Sequence, residues 1–350
     1  MYKVNDFFCG AGGFGLGFKN VGFEIAGSWD FDKYAVQSYK HNVDDKVQQM
    51  DITEMNANDI PFADVWTFGF PCQDVSIAGK QKGMIKGKTR SGLFYEIMRL
   101  LEESDRNNKP SLIIAENVKA IRKYLPIIEE EYNKVGYRMY TTLYNSKYWN
   151  VPQNRERFFI VGVREDINKD FEFVEQQTEY VPSLSTVLEN NVDDKYYIAD
   201  DKAEKIIEQA KERLDGFKNV HACLTPDRVN KRQNGRRAKD NEQEMFTLTA
   251  QDRHGILTYN PPHGWNQGNF YEHYTGTVTS RDYKGPRLLI ENNLRVRKLI
   301  PREYARLQGF PDSYEQVVSD TQFYKQMGNA VTVNVAEAIA TAAEVFLDNL

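Results

Sequence analysis

The chain has 350 residues, of which 41% are hydrophobic and 27% charged, values typical of a globular protein with one large core or a large and a small one. It contains neither a signal-peptide pattern nor an apolar run long enough to span a membrane, which predicts a cytoplasmic protein. Its three cysteines, Cys9, Cys72 and Cys223, lie far apart and its five histidines lack ligand spacing, so neither a disulfide framework nor a metal site is expected.

The formal net charge of −5 is distributed unevenly along the sequence. Residues 220–300 contain 13 Lys or Arg and 8 Asp or Glu, a net charge of +5, which leaves −10 for the rest of the chain. A basic segment on an acidic body indicates a local binding site for nucleic acid. Chance clustering on a solvated surface is the alternative that charge alone leaves open.

Residues 1–164 alternate between short apolar runs and amphipathic stretches. The runs predict strands at Phe23–Gly27, Val65–Phe68, Leu112–Ala115 and Phe158–Val163. Helices are predicted over Asp32–His41 and Leu93–Glu103, where apolar residues recur at helical spacing. This alternation predicts an α/β fold, in which a mostly parallel sheet is covered by helices on both faces.

A glycine-rich loop follows the first predicted strand, with glycines at 10, 12 and 13. Such glycines permit a tight turn and a close approach of backbone to a ligand. Asp30 follows about 20 residues after Gly10, at the end of the second strand, where a carboxylate can bind ribose hydroxyls. The spacing departs from G-x-G-x-x-G and no Walker lysine follows, which favours a nucleoside cofactor without phosphates over a nucleotide triphosphate. A glycine-rich turn without a ligand is the alternative. Asp51, at a third strand end, is either an acceptor for an adenine amino group or a solvated loop acid.

Four reactive or charged side chains lie at boundaries of the later predicted strands. Cys72 and Glu116 follow two of them, and Arg155 and Arg157 precede another, which is where open α/β sheets place their sites. A thiolate can add to an electron-poor carbon, a carboxyl can donate a proton, and a guanidinium can hold an oxygen of one flat heterocycle. Taken singly, an inert buried thiol, a capping acid and a surface charge pair remain the alternatives.

Two regions interrupt the alternation of strands and helices. Segment 79–92 holds four glycines and several cations without an apolar face, which is typical of a long functional loop. After Asp166, a helix is predicted over residues 200–214. A threefold echo then follows at Leu224–Arg228, Leu248–Arg253 and Val278–Tyr283. We interpret the echo as short strands that open into polar loops of a second, β-rich domain. A final helix, Val333–Leu347, is expected to pack on the first domain.

The motifs occur in an order that resembles the C5-cytosine DNA methyltransferases. The matching segments are Phe8–Gly13, Pro71–Gln73, Glu116–Val118, Gln153–Arg157, Arg302–Pro311 and Gln326–Val331. The resemblance covers about residues 1–164 and 294–335. Its departures are Phe7-Phe8-Cys9 in place of Leu-Phe-Ala, Asp30 in place of Glu, and Phe31 in place of Trp. Residues 166–293 correspond to the family's variable target-recognition domain, for which the resemblance implies a role but no target sequence.

The resemblance implies an AdoMet-dependent methyltransferase with a Rossmann-like sheet. The implied catalytic domain comprises residues 1–180 and 310–350, and the implied target-recognition domain residues 181–309. The cofactor would be S-adenosyl-L-methionine. The residues implied to bind it are Phe8, Gly10, Gly12, Gly13, Asp30, Phe31, Asp51, Ile52, Asn329 and Val331.

The resemblance also implies a reaction at a cytosine that has left the base stack. The Cys72 thiolate would add to C6, Glu116 would protonate or hydrogen-bond N3, Arg157 would hold O2 and Arg155 would order the site. The residues implied to contact DNA are Ser76, Lys80, Gln81, Arg90, Arg228, Arg253 and Arg281.

The expected partner is double-stranded DNA, read at a specific sequence by a monomer that works beside a restriction endonuclease. A tRNA methyltransferase of the same fold is the nearest alternative. The long basic segment 220–300 favours DNA because it is large enough to read a major groove. A catalytically silent DNA-binding member is disfavoured by Cys72, Glu116 and Arg157. A dinucleotide-dependent oxidoreductase does not account for Cys72.

Overall fold

The computed structural model describes residues 1–71, 90–199, 201, 203, 220–224, 238–239, 244–248, 254–259 and 294–350. The chain divides into two compact units. The first consists of Met1–Asn191, Glu244–Asp252 and Leu299–Leu350, and the second of Val192–Gln243 and Arg253–Lys298. The chain therefore leaves the first unit twice and returns to it twice.

The first unit is built on a seven-stranded sheet. Its strands are β1 Lys3–Phe7, β2 Glu24–Asp30, β3 Val47–Gln49, β4 Val65–Phe68, β5 Leu112–Val118, β6 Tyr137–Asn145 and β7 Glu156–Arg164. They are arranged in the order β3-β2-β1-β4-β5-β7-β6. Within this sheet, β7 runs antiparallel to both of its neighbours and the other strands are parallel to one another. The mostly parallel sheet predicted from the sequence is confirmed.

Helices cover both faces of this sheet. They are α1 Gly13–Val21, α2 Lys33–Asn42, α3 Phe94–Glu103, α4 Leu125–Lys134, α5 Pro301–Leu307, α6 Asp320–Asn329 and α7 Val333–Asp348. One apolar cluster joins Phe7 of β1 to α3 and α4, and a second joins Val4 of the same strand to α1 and α7. Successive strand residues point to opposite faces, so Val4 and Phe7 serve different clusters. All four residues of β4 are buried, as expected for a strand covered on both sides.

The C-terminal helix α7 packs on the first unit, as the sequence predicted, and its partner there is α1. A Cβ atom added to Gly17 would lie 2.5 Å from the Cβ of Ala336, so the two helix backbones approach closely where both residues are small. No single helix of the described part is long and apolar enough to cross a membrane. The bent pair α6 and α7 reaches that length and composition only when the two helices are taken together.

The second unit contains a three-stranded antiparallel sheet. Its strands, β8 Val220–Leu224, β9 His254–Tyr259 and β10 Leu294–Lys298, are arranged in the order β10-β9-β8. The first echo segment begins at the last residue of β8. Leu248 of the second echo segment lies in the first unit. The rest of the echo segments, and the helix predicted over 200–214 apart from residues 201 and 203, lie outside the described residues.

Candidate active site

The loop that follows β1 has a left-handed backbone conformation at three positions, two of which are glycines. Phe8, Gly10 and Gly12 have φ angles of 52°, 55° and 91°, in the left-handed region that side chains disfavour. A Cβ atom on Gly13 would lie 2.2 Å from the carbonyl oxygen of Val331. The structure thus brings the loop and Val331 together, two parts of the predicted cofactor site that are more than 300 residues apart in the sequence.

Asp30, at the end of β2, holds this loop through its carboxylate. Its Oδ2 accepts a hydrogen bond from Gly10 N at 2.8 Å, and its Oδ1 accepts one from Asp32 N at 2.8 Å. Burial raises the pKa of Asp30, although both of these bonds oppose the rise. Each carboxylate oxygen retains a second lone pair for a ligand hydroxyl. The sequence indicated Asp30 as a ribose ligand but not as the acceptor that fixes Gly10.

The remaining predicted cofactor residues differ in what their side chains offer. Phe31 is 71% exposed, which leaves its ring available for stacking. Asp51 uses Oδ1 to accept bonds from the backbone and hydroxyl of Thr53. The side chain of Ile52 is buried in the core, so its backbone is the part that can face a ligand. Asn329 is exposed at the end of α6.

A second carboxyl group lies beneath the loop and was not singled out from the sequence. Asp6 of β1 is buried, and it accepts hydrogen bonds from Gly15 N at 3.1 Å and from Thr67 Oγ1 at 2.9 Å. Burial raises its pKa to about 7. The available signal was an acid in the strand that directly precedes the glycine loop. Because Gly15 lies in the first turn of α1, Asp6 connects β1, β4 and the helix that follows the glycine loop.

Glu116 and Arg157 meet across the junction of β5 and β7. In this antiparallel pair Val118 lies opposite Arg157, and the Nε of Arg157 lies 2.9 Å from Oε1 of Glu116. The two side chains are only 10% and 16% exposed, so water screens the pair weakly. The predicted acid and the predicted clamp are therefore one ion pair at the end of the sheet.

The stretch that leads to Cys72 runs beside Glu116. The side-chain nitrogen of the buried Asn117 donates to the carbonyl oxygen of Phe70 at 3.1 Å. A Cβ atom on Gly69 would lie 3.9 Å from Oε2 of Glu116. Cys72 itself is outside the described residues.

Arg155 differs from Arg157 because its guanidinium donates to backbone carbonyls that are distant in the sequence. It is buried, and it donates to the carbonyl oxygens of Ala330 at 2.8 Å and Leu248 at 3.0 Å. These bonds connect β7 to the segments before Val331 and before the second echo loop. The geometry fits the ordering role that the resemblance implied for Arg155.

Residues predicted for catalysis and a residue predicted to bind the cofactor line the same cavity, which has a volume of about 10 Å³. It is lined by Glu116, Tyr144, Ser146, Arg155, Arg157, Phe159, Val331, Thr332 and Val335. A larger cavity of about 320 Å³ is lined by Arg302, Tyr314 and their neighbours and contains no predicted site residue. The small cavity is therefore the one that marks the candidate site.

Outside the described residues lie Cys72, Ser76, Lys80, Gln81, Arg228, Arg253 and Arg281. Arg90 begins a 3-10 turn that ends at Leu93, just before α3. The nucleic-acid contacts inferred from the sequence therefore stay predictions.

The sequence analysis did not single out several buried polar residues that lie around Arg155. Gln308 donates to the carbonyl oxygen of Met327 at 2.5 Å and accepts from Thr332 Oγ1 at 3.0 Å. Thr332 also lies 2.8 Å from Ser146 Oγ. These bonds link three segments that are distant in the sequence, so local patterns carried no signal for them.

Comparisons with known proteins show the family of this chain. The family of C-5 cytosine-specific DNA methylases matches residues 2–344. The type II methyltransferase M.NlaX of Neisseria lactamica is 34% identical, with 97% of this chain and 95% of that protein covered. The orphan methyltransferase M.SPBetaI of Bacillus phage SPbeta is 30% identical, with 96% of each covered.

Solved structures show the same fold. The S. pombe Dnmt2 methyltransferase has a TM-score of 0.67 at 18% identity, with 99% of this chain and 100% of that chain covered. A putative DNA modification methyltransferase encoded within an E. coli prophage has a TM-score of 0.65 at 20% identity, with the same coverage.

Proposed function

Because the chain belongs to the C-5 cytosine-specific DNA methylase family and is a DNA (cytosine-5-)-methyltransferase, we propose that it methylates C5 of a cytosine everted from a specific duplex sequence. S-adenosyl-L-methionine would supply the methyl group. The observation that carries this proposal is the Glu116–Arg157 pair, which lies beside the stretch leading to Cys72.

The glycine loop fits a nucleoside cofactor of this kind. It has no side chain at Gly10, Gly12 or Gly13 to obstruct a ligand, and Asp30 supplies a buried acceptor next to Gly10. The exposed ring of Phe31 offers a stacking surface for a purine. The residues present therefore suit S-adenosyl-L-methionine, and Asp30 and Phe31 would hold its ribose and adenine.

The protein's own residues would activate the cytosine ring. The Cys72 sulfur forms a bond to C6, and Glu116 donates a proton or hydrogen bond to N3, so that negative charge does not build up on the ring. C5, now an enamine carbon, would then take the methyl group, and the electron pair of the broken methyl–sulfur bond would stay on the sulfur of the donor. Loss of the C5 proton to a base and departure of Cys72 from C6 restore aromaticity. Arg157 holds O2, and its ion pair with Glu116 keeps both groups in position.

The names of the relatives support a proposal for the biological role. Relatives named type II methyltransferases support a role in a restriction-modification system, with a paired endonuclease, while relatives named orphan methyltransferases indicate that such an enzyme also works alone. We infer a monomer that acts on cytoplasmic DNA. An extract that cuts unmethylated plasmid but spares plasmid methylated by this protein would identify the endonuclease.

One experiment tests the reaction and its substrate. Bisulfite sequencing of a plasmid from cells that express the protein should reveal methylated cytosines in one sequence context. Purified protein should transfer label from S-adenosyl-L-methionine to duplex DNA carrying that context and not to tRNA. Transfer to tRNA alone would establish the alternative substrate and contradict the proposal.

A further inference from the structure

Both the oxygen and the nitrogen of the Gln153 side-chain amide make hydrogen bonds, and these bonds join three segments of the first unit. It is fully buried, and its Oε1 accepts a hydrogen bond from Leu248 N at 2.9 Å. Its Nε2 donates to the carbonyl oxygen of Leu307 at 2.6 Å and to Gln308 Oε1 at 3.2 Å. A buried amide that makes three hydrogen bonds fixes the relative positions of the segments that it joins.

The segment Glu244–Leu248, here called the strap, lies along the residues just before β7. Met245 N donates to the carbonyl oxygen of Pro152 at 2.5 Å, and Asn154 N donates to that of Met245 at 2.9 Å. Thr247 Oγ1 donates to the carbonyl oxygen of Asn154. Met245 and Leu248 are fully buried. The strap is therefore an integral part of the catalytic unit.

The strap lies in the basic part of the sequence and yet belongs to the catalytic unit. It lies within the basic region 220–300 and belongs to the first unit, whereas the chain before Glu244 and after Asp252 belongs to the second. The second echo segment, which contains Arg253, starts at Leu248, the residue that Gln153 binds. The chain that carries a predicted DNA-reading loop thus departs from a point fixed to the catalytic sheet.

The same point is connected to the ion pair at the candidate active site. Arg155 donates to the carbonyl oxygen of Leu248 at 3.0 Å. Arg157 follows two residues later, which is about 7 Å along a strand. Its guanidinium binds Glu116. The strap is therefore connected, through one hydrogen bond and two residues of chain, to the group that would hold the target base.

We propose that Gln153 is a positioning residue that couples recognition of the target sequence to the reaction, because it fixes the strap to the strand that bears Arg157. The inference rests on the proposed function. When the strap is fixed, the contacts that the predicted loop of Arg253 makes with the correct DNA sequence also position the everted base against Arg157. The binding energy of these contacts then lowers the activation barrier of methyl transfer. With the strap loosened, the same contacts form without placing the base, and the correct sequence loses its advantage.

The test uses the full-length protein and duplexes that carry the site mapped by bisulfite sequencing, or that site with one base pair changed. Gln153→Met keeps the volume and removes every amide bond, and Thr247→Val removes a strap bond without altering the motif. The ratio of kcat/KM between the mapped and changed duplexes should fall about tenfold for Gln153→Met, the value of about one buried hydrogen bond, and less for Thr247→Val.

Gln326→Met is the matched control. This buried amide donates to the carbonyl oxygen of Tyr34 at 2.7 Å and lies 2.9 Å from Ser38 Oγ, so it also bridges segments of the first unit. It should slow the reaction on both duplexes equally. Equal slowing by Gln153→Met would show that Gln153 is merely structural and overturn the coupling. If Gln153→Met does not fold, an unchanged ratio for Thr247→Val overturns it instead. A wild-type protein that methylates no duplex contradicts the proposed function itself.

Discussion

Arg157 and Glu116 form a largely buried ion pair, with 2.9 Å between Nε and Oε1, at the point where the parallel part of the sheet meets β7. Two residues that the sequence indicated for different tasks are thus mutually dependent. A carboxylate buried beside a guanidinium resists displacement, because removing either partner leaves a charge without compensation. The roles of the acid and of the clamp can therefore be separated only by variants of both residues.

Glu116→Gln should reduce methyl transfer by at least about 100-fold, because an amide cannot donate the proton that N3 requires. Binding of duplex DNA should change by less than about threefold. Single-turnover transfer of labelled methyl groups and gel-shift titrations measure the two quantities. Glu130→Gln on the exposed face of α4 is the control and should leave both unchanged. A near-normal rate for Glu116→Gln would remove its role as an acid.

The ion pair also makes a prediction for stability. Arg157→Ala should lower the free energy of unfolding by about 3 kcal/mol, the order expected when a buried charge loses its partner. The double variant Glu116→Gln with Arg157→Ala should recover part of this loss, because no buried charge is left unpaired. Urea denaturation of the four proteins gives the coupling energy. Strict additivity of the two single changes would show that the pair contributes nothing.

Cys72→Ala should abolish methyl transfer while binding of duplex DNA survives, because the covalent bond to C6 cannot form. Cys9→Ala is the matched control, since this buried thiol has a pKa raised chiefly by burial and is therefore a poor nucleophile. Iodoacetamide should inactivate the wild type and the Cys9→Ala variant alike. Trapping on a duplex with 5-fluorocytosine, followed by mass spectrometry, should locate the adduct on Cys72. Ordinary turnover by Cys72→Ala would refute the covalent mechanism.

The sequence was most informative where a local pattern carries the structure. Runs such as Val65–Phe68 predicted β4 because a strand covered on both faces needs consecutive apolar residues, and the order of motifs indicated Glu116 and Arg157. The bond from Arg155 to Leu248 joins residues 93 apart, and no pattern along the chain records it. The hydrogen bond from Gly10 N to Asp30 likewise depends on backbone angles that composition does not reveal.

Recognition of DNA should depend on the arginines of the echo segments. Arg253→Ala and Arg281→Ala should each weaken binding to the methylated site several-fold and reduce the preference for that site, if these side chains read bases. Binding measured at several salt concentrations separates base reading from phosphate contacts, because the latter change the salt dependence. Arg302→Ala removes an exposed arginine at the start of α5 and serves as the control. Unchanged affinity and preference in both echo variants would contradict our interpretation of these loops.

Asp6 predicts a dependence of stability on pH. Its pKa is about 7 in the folded protein because of burial, against an ordinary value of 3.8. The folded state therefore binds a proton more tightly than the unfolded state does between these values. The stability contributed by this group is complete below about pH 4 and is lost as the pH rises to about 7, by at most about 1.4 kcal/mol for each pH unit.

Asp6→Asn should remove this dependence, because an amide can accept from Gly15 N and donate to Thr67 Oγ1 without carrying a charge. At pH 7.5 the variant should be at least as stable as the wild type, and at pH 4.5 the two should differ little. Urea denaturation at both values measures the difference, and the comparison cancels the other groups that titrate in this range. A pH profile that is the same in both proteins would show that Asp6 keeps an ordinary pKa in the folded state.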